Sequence, residues 1–293
     1  NVCSLNKNLA LTTALHSLLA SGSSPRMILW HHDLAWTTPR YQSELHDGWP
    51  WDLLRTDWPS ATQVVVSTMR QRELAELLRV PLERIRVVPN GLDLVSFFKL
   101  EAQTVDLVRR LDLLAAEPLL LLPVRITTRK NIELAVRVVA ALRSRFSNPN
   151  LIVTGPPGPH NPANAAYFSR LKDLRAALRL DGSVHFLTEL VEGYLPDAVI
   201  SDFYRLADAL LMPSREEGFG IPILEAGLSR LPIFCSDIPP LRELAGDRAT
   251  TFSPDATSEQ VAAQIAARLA ADSCYAMGVH VRSAYSWQGV ITP

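Results

Sequence analysis

Six short apolar runs alternate with helix-forming segments between residues 118 and 271. The predicted strands are 118–124, 150–154, 184–187, 209–212, 231–235 and 250–252. The predicted helices are 131–144, 164–180, 201–207, 222–229, 239–245 and 258–271. Strands that alternate with helices predict right-handed βαβ units around a parallel sheet. We therefore expect an α/β, Rossmann-like domain over residues 118–274.

The residues before this domain carry a shorter version of the same alternation. Strand patterns occur at 26–30, 63–67 and 84–88, and helix patterns at 9–19 and 69–78. These are enough for about half of a Rossmann-like domain, which we assign to residues 1–95. The residues that follow are helix-prone and contain no strand pattern, which predicts an interdomain linker over 96–117.

Composition narrows the classes of protein that this chain can belong to. Hydrophobic residues make up 47% of the chain and the formal net charge is -1, so no basic surface for nucleic acid is expected. The three cysteines, Cys3, Cys235 and Cys274, are far apart, which disfavours a zinc site or a disulfide framework. No apolar run is long enough to cross a bilayer, and no signal peptide is visible. We expect a cytoplasmic protein, with peripheral contact to the inner membrane face left open.

The most informative segment joins a predicted strand to a predicted helix through the sequence EGFGIP, residues 217–222. The glycines let backbone N–H groups approach a ligand closely, and Pro222 suits the first turn of a helix. Such a helix N-terminus is suited to binding a phosphate. Glu217 precedes the helix and Glu225 lies in it. The alternative is that Glu217 is a solvated loop acid and that Glu225 only complements the helix dipole.

Two other predicted strands end in chemically informative loops. Arg125 and Lys130 follow the strand at 118–124, and they should project at the same carboxyl edge of the sheet as Glu217, where cations can neutralise a departing diphosphate. We interpret Arg129, between them, as an ordinary surface charge. The segment 151–159, LIVTGPPGP, predicts a stiff loop around Gly155 at this edge. It has neither the P-loop nor the GxGxxG pattern.

The triplet His31, His32 and Asp33 directly follows the predicted strand at 26–30. Neighbouring residues of an extended chain point in opposite directions, so a single metal site is not expected to use both histidines. One of them can face a cleft and donate a hydrogen bond or move a proton. The alternative is a hydrogen-bonded histidine at a strand end. The tryptophan-rich segment 49–58 predicts a surface that stacks on a sugar or touches a membrane, or else a packed loop that anchors the domain.

Four motifs in this order make the chain resemble a retaining nucleotide-sugar glycosyltransferase of family 4, group 1. They are HHD at 31–33, VVPNGLD at 87–93, the pair Arg125 and Lys130, and EGFGIPILEA at 217–226, with YSW at 285–287 in addition. The resemblance implies a GT-B fold, in which two Rossmann-like domains have parallel sheets that face a cleft. Residues 1–95 would form the acceptor side, 118–274 the nucleotide-sugar side, and 275–293 the start of a segment that returns to the N-terminal domain.

The resemblance also implies roles for individual residues. Glu217 would hold hydroxyls of the donor sugar, and Glu225 those of the ribose. Arg125 and Lys130 would bind the diphosphate, and His32, rather than His31, would face the donor sugar. We expect catalytic roles for Glu217, His32, Arg125 and Lys130. The expected donor-binding residues are Glu225, Gly218, Phe219, Gly220, Ile221, Gly155, Leu187 and Leu190.

The implied reaction is transfer of a sugar from a nucleoside diphosphate to a hydroxyl of a sugar, a lipid-linked acceptor or a protein, with retention and without a metal or cofactor. Alternatives are a sugar-nucleotide epimerase, a phosphorylase, or a binding module without turnover. The chain also departs from the family. Nothing matches the family's opening strand and glycine-rich loop, which implies an incomplete N-terminal domain. Val124 and Asn131 stand where relatives often have glycine.

Overall fold

The computed structural model describes residues 1–22, 25–158 and 163–291. The chain divides into two compact units, one of Asn1–Leu92 with Ala284–Pro293, and one of Asp93–Ser283. Pro159, in the predicted loop 151–159, and the last two residues of the predicted segment 275–293 lie outside the described residues.

The smaller unit contains a three-stranded parallel sheet in the order β1-β2-β3. The strands are β1 (Ile28–His31), β2 (Thr62–Val65) and β3 (Ile85–Val87), and the helices are α1 (Leu9–Ala20), α2 (Thr68–Leu78) and α12 (Trp287–Ile291). Helix α2 begins where the Ser67 hydroxyl accepts the Arg70 N–H, and it ends at Arg79, which adopts a left-handed conformation. All three strands predicted in this region are confirmed within a few residues.

The chain after Ala284 joins the smaller unit through backbone pairing. The Leu92 N–H donates to the Tyr285 carbonyl at 2.7 Å, and the Trp287 N–H donates to the Leu92 carbonyl at 3.3 Å. A Cβ on Gly91 would lie 2.6 Å from the Trp287 ring, so this packing requires glycine at that position. Leu92 of the VVPNGLD motif therefore pairs with the YSW motif within the smaller unit.

The larger unit contains a six-stranded, all-parallel sheet in the order β6-β5-β4-β7-β8-β9. Its strands are β4 (Leu119–Leu122), β5 (Asn150–Val153), β6 (Val184–Phe186), β7 (Ala209–Met212), β8 (Ile233–Ser236) and β9 (Thr250–Phe252). Its helices are α3 (Leu94–Phe98), α4 (Ala102–Arg110), α5 (Ile132–Leu142), α6 (Ala163–Ala177), α7 (Asp197–Leu206), α8 (Ile221–Leu228), α9 (Pro239–Ala245), α10 (Ser258–Ala270) and α11 (Ser273–Ala284).

The strands of the larger unit are buried because helices cover both faces of the sheet. Every residue of β4, β5, β6 and β7 is buried, as a parallel sheet with two covered faces requires. The six predicted strand–helix pairs and the α/β class are confirmed, with boundaries shifted by a few residues. The expectation that the two units face a cleft stays a prediction.

The order of the strands fixes where a ligand site can form. Strands β5 and β6 are added on one side of β4, and β7, β8 and β9 on the other. The strand order therefore reverses between β4 and β7. Ligands of open α/β sheets bind outside the carboxyl ends of the strands at such a reversal. The loops after β4 and β7 carry Lys130 and Glu217 to this point.

The predicted linker 96–117 is corrected by the structure. Leu107, Val108 and Leu113 are buried in the core of the larger unit. The carboxylate of Asp202 on α7 accepts a 2.8 Å hydrogen bond from the Glu101 N–H at the start of α4, and it also accepts from a threonine hydroxyl of that helix. The segment is therefore part of the larger unit, because its apolar face packs there.

The other predicted boundary also moves. On α11, the Arg282 guanidinium makes two hydrogen bonds, of 3.1 and 3.0 Å, to the carboxylate of Asp208 at the start of β7. This pair keeps α11 in the larger unit as far as Ser283. The boundaries between the units along the chain therefore fall at 92/93 and at 283/284, whereas the sequence predicted domain ends at 95 and 274.

Candidate active site

The loops after β4 and β7 are joined by a short ion pair. The Lys130 ammonium lies 2.6 Å from Glu217 Oε1, and the Ser214 hydroxyl donates to the same oxygen at 2.7 Å. The side chains of Lys130 and Glu217 are only 9% and 7% exposed. Burial lowers the pKa of Lys130, while the Glu217 carboxylate opposes that shift. One carboxylate oxygen is thus held by two donors.

The two loops are also tied through their backbones. The Arg215 N–H donates to the Arg129 carbonyl at 2.8 Å, and the Arg129 guanidinium donates to the Glu216 carbonyl at 3.4 Å. The Arg129 guanidinium lies 3.9 Å from Glu217 Oε2 and is half exposed. Arg129 is therefore a surface residue, as interpreted from the sequence, but one that borders the Glu217 carboxylate.

Gly155 allows the loop after β5 to approach the loop after β4. A Cβ on Gly155 would lie 2.5 Å from the Val124 carbonyl oxygen and 2.9 Å from the Arg125 Cα. The Ile126 N–H donates to the Pro156 carbonyl at 3.0 Å, which pairs the two loops. The structure thus gives Gly155 a packing role. The predicted contact between Gly155 and a nucleotide stays a prediction.

The helix α8 begins at the glycine-rich loop. Gly220 has a φ of +103°, and a Cβ there would lie 2.7 Å from a methyl group of Leu241, so both conformation and packing require glycine. The side chains of Phe219 and Ile221 are exposed, and Gly218 has open space around it. Gly218, Phe219 and Ile221 are therefore accessible to a ligand, whereas Gly220 is buried, and the contact of this segment with a donor stays a prediction.

Glu225 lies in α8 and is held by a residue that the sequence did not single out. The Tyr204 hydroxyl, from α7, donates to Glu225 Oε2 at 2.6 Å. Tyr204 is buried, and both burial and the hydrogen bond to Glu225 raise its pKa. The phenol therefore stays protonated and serves as a donor.

Arg125 lies at the same edge but is not part of the ion pair. Its side chain is exposed, and its guanidinium sits 5.2 Å from the centre of the exposed Tyr194 ring, at cation–π distance. Tyr194 was not predicted from the sequence. An exposed guanidinium at the reversal of the strand order can turn towards an anion.

The sequence model of the family described as "Glycosyl transferases group 1" matches residues 109–276, more than half of the 293-residue chain. The chain belongs to the group 1 glycosyltransferases. The match includes the Lys130–Glu217 pair and the Tyr204–Glu225 pair.

Curated relatives carry related names. The chain is 34% identical over 104 residues to an O-antigen chain mannosyltransferase B of Escherichia coli, covering 34% of this chain and 27% of the relative. It is 33% identical over 190 residues to a D-inositol 3-phosphate glycosyltransferase of Thermobispora bispora, covering 62% of this chain and 41% of the relative. The chain spans less than half the length of each of these two relatives.

One solved structure among those that resemble the chain is a glycosyltransferase from Rickettsia africae. The TM-score is 0.49 and the sequence identity 17%, with 98% of this chain and 80% of the other chain covered.

The structure changes the interpretation of one predicted donor-binding residue of this group 1 glycosyltransferase. Leu187 is fully buried in the core of the larger unit, so its side chain does not face a nucleobase, and only its backbone could. Leu190 is half-buried and packs against the same core. The apolar character of both leucines reflects core packing, and a contact between their backbone and a nucleobase stays a prediction.

The two adjacent histidines of the smaller unit point in opposite directions, as the strand geometry predicted. His31 is buried, its Nε2 lies 2.8 Å from Gln63 Oε1, and burial lowers its pKa to about 4. His32 is exposed, with Nε2 3.0 Å from Asn90 Oδ1. His31 is a neutral core residue, and the contact between His32 and a donor sugar stays a prediction.

No group of three His, Cys, Asp or Glu side chains within residues 1–22, 25–158 and 163–291 is arranged to hold a metal ion. Over the same residues, no helix combines the length and the apolarity that crossing a bilayer requires.

Sequence reasoning missed three residues that hold the predicted ones in place. Ser214 bonds Glu217, Tyr204 bonds Glu225, and Tyr194 lies under Arg125. For Ser214 a signal existed, because it lies three residues before Glu217 at the end of a strand. For the two tyrosines no local signal distinguishes them from other aromatic residues of an amphipathic segment.

Proposed function

We propose that this group 1 glycosyltransferase transfers a sugar from a nucleoside diphosphate to a hydroxyl acceptor, with retention of the anomeric configuration and without a metal. The observation that carries the proposal is the buried Lys130–Glu217 pair at the reversal of the strand order. Helix α8 begins shortly after Glu217, at Ile221, and it carries Glu225, which accepts a hydrogen bond from Tyr204. A diphosphate, a sugar and a ribose each find a suitable partner at one sheet edge.

The cations supply the charge that a departing diphosphate needs. An ammonium has three N–H donors, and in Lys130 one of them is directed at Glu217, which leaves two for phosphate oxygens. The exposed Arg125 guanidinium can add a bidentate contact. The positive end of the α8 dipole favours the same anion. Fixed donors of this kind stabilise developing charge without a metal ion.

Glu217 is suited to bind a sugar hydroxyl. Its Oε1 is occupied by Lys130 and Ser214, whereas within the described residues Oε2 has only the Arg129 guanidinium nearby, 3.9 Å away. A carboxylate fixed through one oxygen can accept a hydroxyl of the donor sugar through the other. Because two donors already bind this carboxylate, it is a poor nucleophile. This favours a reaction in which the diphosphate leaves and the acceptor hydroxyl attacks on the same face of the sugar, with the leaving phosphate acting as base.

The relatives' names support the substrate class. One is named for transfer of mannose in an O-antigen chain, and another for glycosyl transfer involving inositol 3-phosphate. We infer a carbohydrate or polyol hydroxyl as the acceptor.

The first test is thermal unfolding of the chain with UDP, GDP, ADP or pyrophosphate. A ligand at a hundred times its Kd adds about 2.7 kcal/mol to the stability of the folded state. This corresponds to a shift of several degrees for a protein of this size. A shift with one of the three bases supports the nucleotide site and identifies the base of the donor, though not its sugar. A cooperative transition that none of the nucleotides moves would refute the proposal.

The second test compares two neighbouring glutamates. Glu217→Gln should lower transfer by about a hundredfold, because the donor sugar loses its carboxylate partner, and nucleotide affinity should change much less. Glu216→Gln removes the same charge from an exposed side chain and should leave both unchanged. Equal losses of transfer and nucleotide affinity in Glu217→Gln would contradict the assigned role. Transfer should persist in EDTA, and NMR should show a product with the donor's anomeric configuration.

A further inference from the structure

Tyr204 connects the core of the larger unit to Glu225. Its ring is 3% exposed and belongs to the same core cluster as Phe203, Ile223 and Ala226. Its hydroxyl reaches out of that cluster and donates to Glu225 Oε2 at 2.6 Å. The ring cannot move without disturbing the core, so the position of the hydroxyl is fixed.

The bond constrains a flexible side chain. A half-exposed glutamate on a helix samples several rotamers, and a hydrogen bond from a buried donor selects one of them. Burial and Glu225 both raise the pKa of Tyr204, so the donor persists at neutral and mildly alkaline pH. Glu225 has about four lone-pair sites on its two oxygens, and Tyr204 occupies one. The remaining sites can accept the two O–H groups of a vicinal diol.

We propose that Tyr204 is a positioning residue that holds Glu225 ready for the ribose diol, and that it thereby sets the preference of the site for ribonucleoside over 2′-deoxyribonucleoside diphosphates. The inference rests on the proposed function, because Glu225 contacts ribose only if the site binds a nucleotide. It goes beyond the proposed function because it makes Tyr204, on α7, responsible for distinguishing ribose from deoxyribose in the bound nucleotide.

A mobile carboxylate would still accept a hydroxyl, but it would first have to be ordered by the ligand. That ordering costs the ribonucleotide more, since the 2′-deoxy ligand keeps only the 3′-hydroxyl and makes fewer hydrogen bonds to the carboxylate. Loss of the Tyr204 hydroxyl should therefore weaken the ribonucleotide selectively. A purely structural role would weaken both ligands alike.

The test measures Kd by calorimetry for a nucleoside diphosphate and its 2′-deoxy analogue, using whichever of UDP, GDP or ADP shifts the melting temperature. The natural chain should bind the ribonucleotide about 10- to 100-fold more tightly, as expected for hydrogen bonds to a charged group. Tyr204→Phe should reduce that ratio about three- to tenfold and leave the Kd of the deoxynucleotide nearly unchanged. In transfer assays the donor KM should rise more than kcat falls.

Tyr167→Phe is the matched control. Tyr167 is also buried, and its hydroxyl bonds the carboxylate of Glu133, at the start of α5. This variant should lose stability but keep the ribose-to-deoxyribose ratio. An unchanged ratio in Tyr204→Phe, or equal losses for both ligands, would overturn the inference while leaving the proposed function intact. A natural chain that binds no nucleoside diphosphate would overturn both.

Discussion

Gly155→Ala should damage both the stability and the anion site of the larger unit. The added Cβ would lie 2.5 Å from the Val124 carbonyl oxygen, about 0.9 Å short of ordinary contact at 3.4 Å, and 2.9 Å from the Arg125 Cα. Both neighbours are backbone atoms, so two loops must separate. Overpacking of this kind costs about 2–3 kcal/mol, which lowers the melting temperature by about 4–12 °C. Because Arg125 moves with its loop, pyrophosphate should bind severalfold more weakly.

The assay is thermal unfolding together with calorimetric titration of pyrophosphate. Gly182→Ala is the control, since a Cβ at Gly182 has no atom within 4 Å. It should change stability by less than about 0.5 kcal/mol and leave pyrophosphate affinity unaltered. If Gly155→Ala melts at the same temperature as Gly182→Ala, the close approach of the two loops does not exist in solution and the reasoning is refuted.

Three further predictions concern buried titratable groups. Glu217→Gln should lower the free energy of unfolding by about 3 kcal/mol because it leaves the Lys130 ammonium without its counter-charge. The double variant Lys130→Met/Glu217→Gln should lose less stability than the sum of the losses in the two single variants. Asp202→Asn should cost about 2–3 kcal/mol, because this fully buried carboxylate accepts hydrogen bonds from the start of α4. Stability should also fall as the pH drops from 6.5 towards 4. Burial lowers the pKa of His31 and His185 to about 4 in the folded chain, so the unfolded chain binds more protons in this range. Each histidine contributes at most about 3 kcal/mol to this loss.

Urea unfolding measures all three. Strictly additive losses in the Lys130 and Glu217 variants would show that the two side chains do not interact. Asp106→Asn, at an exposed position on α4, is the control for Asp202, and an equal effect of the two substitutions would contradict the buried role of Asp202. For the pH dependence, His185→Gln should flatten the profile between pH 4 and 6.5, and an unchanged profile would count against the assignment.

Much of the fold could be predicted because short apolar runs and helix patterns alternate at regular spacing. A strand that is buried on both faces has a continuous apolar sequence, as in Leu119–Leu122. Such a strand can be recognised from its own residues alone. The position of Lys130 beside Glu217 was predictable for a related reason. Parallel strands end at one edge of the sheet, so loops far apart in sequence gather there. The opposite directions of His31 and His32 followed from the geometry of an extended chain.

Other features depended on contacts between distant segments. Nothing local shows that Leu187 faces the core, or that the segment predicted as a linker would pack against α7. Likewise, the bond from Tyr204 to Glu225 joins two helices that pack in the same core cluster of the larger unit.

The sequence by itself determined the α/β alternation, the edge of the sheet at which the site forms and the charged residues brought there. Only the tertiary structure decided which side chains hold those residues in place. The physical reason is that periodicity and loop chemistry are properties of neighbouring residues, whereas a hydrogen-bond partner is chosen by the packing of elements that the chain brings together from far apart.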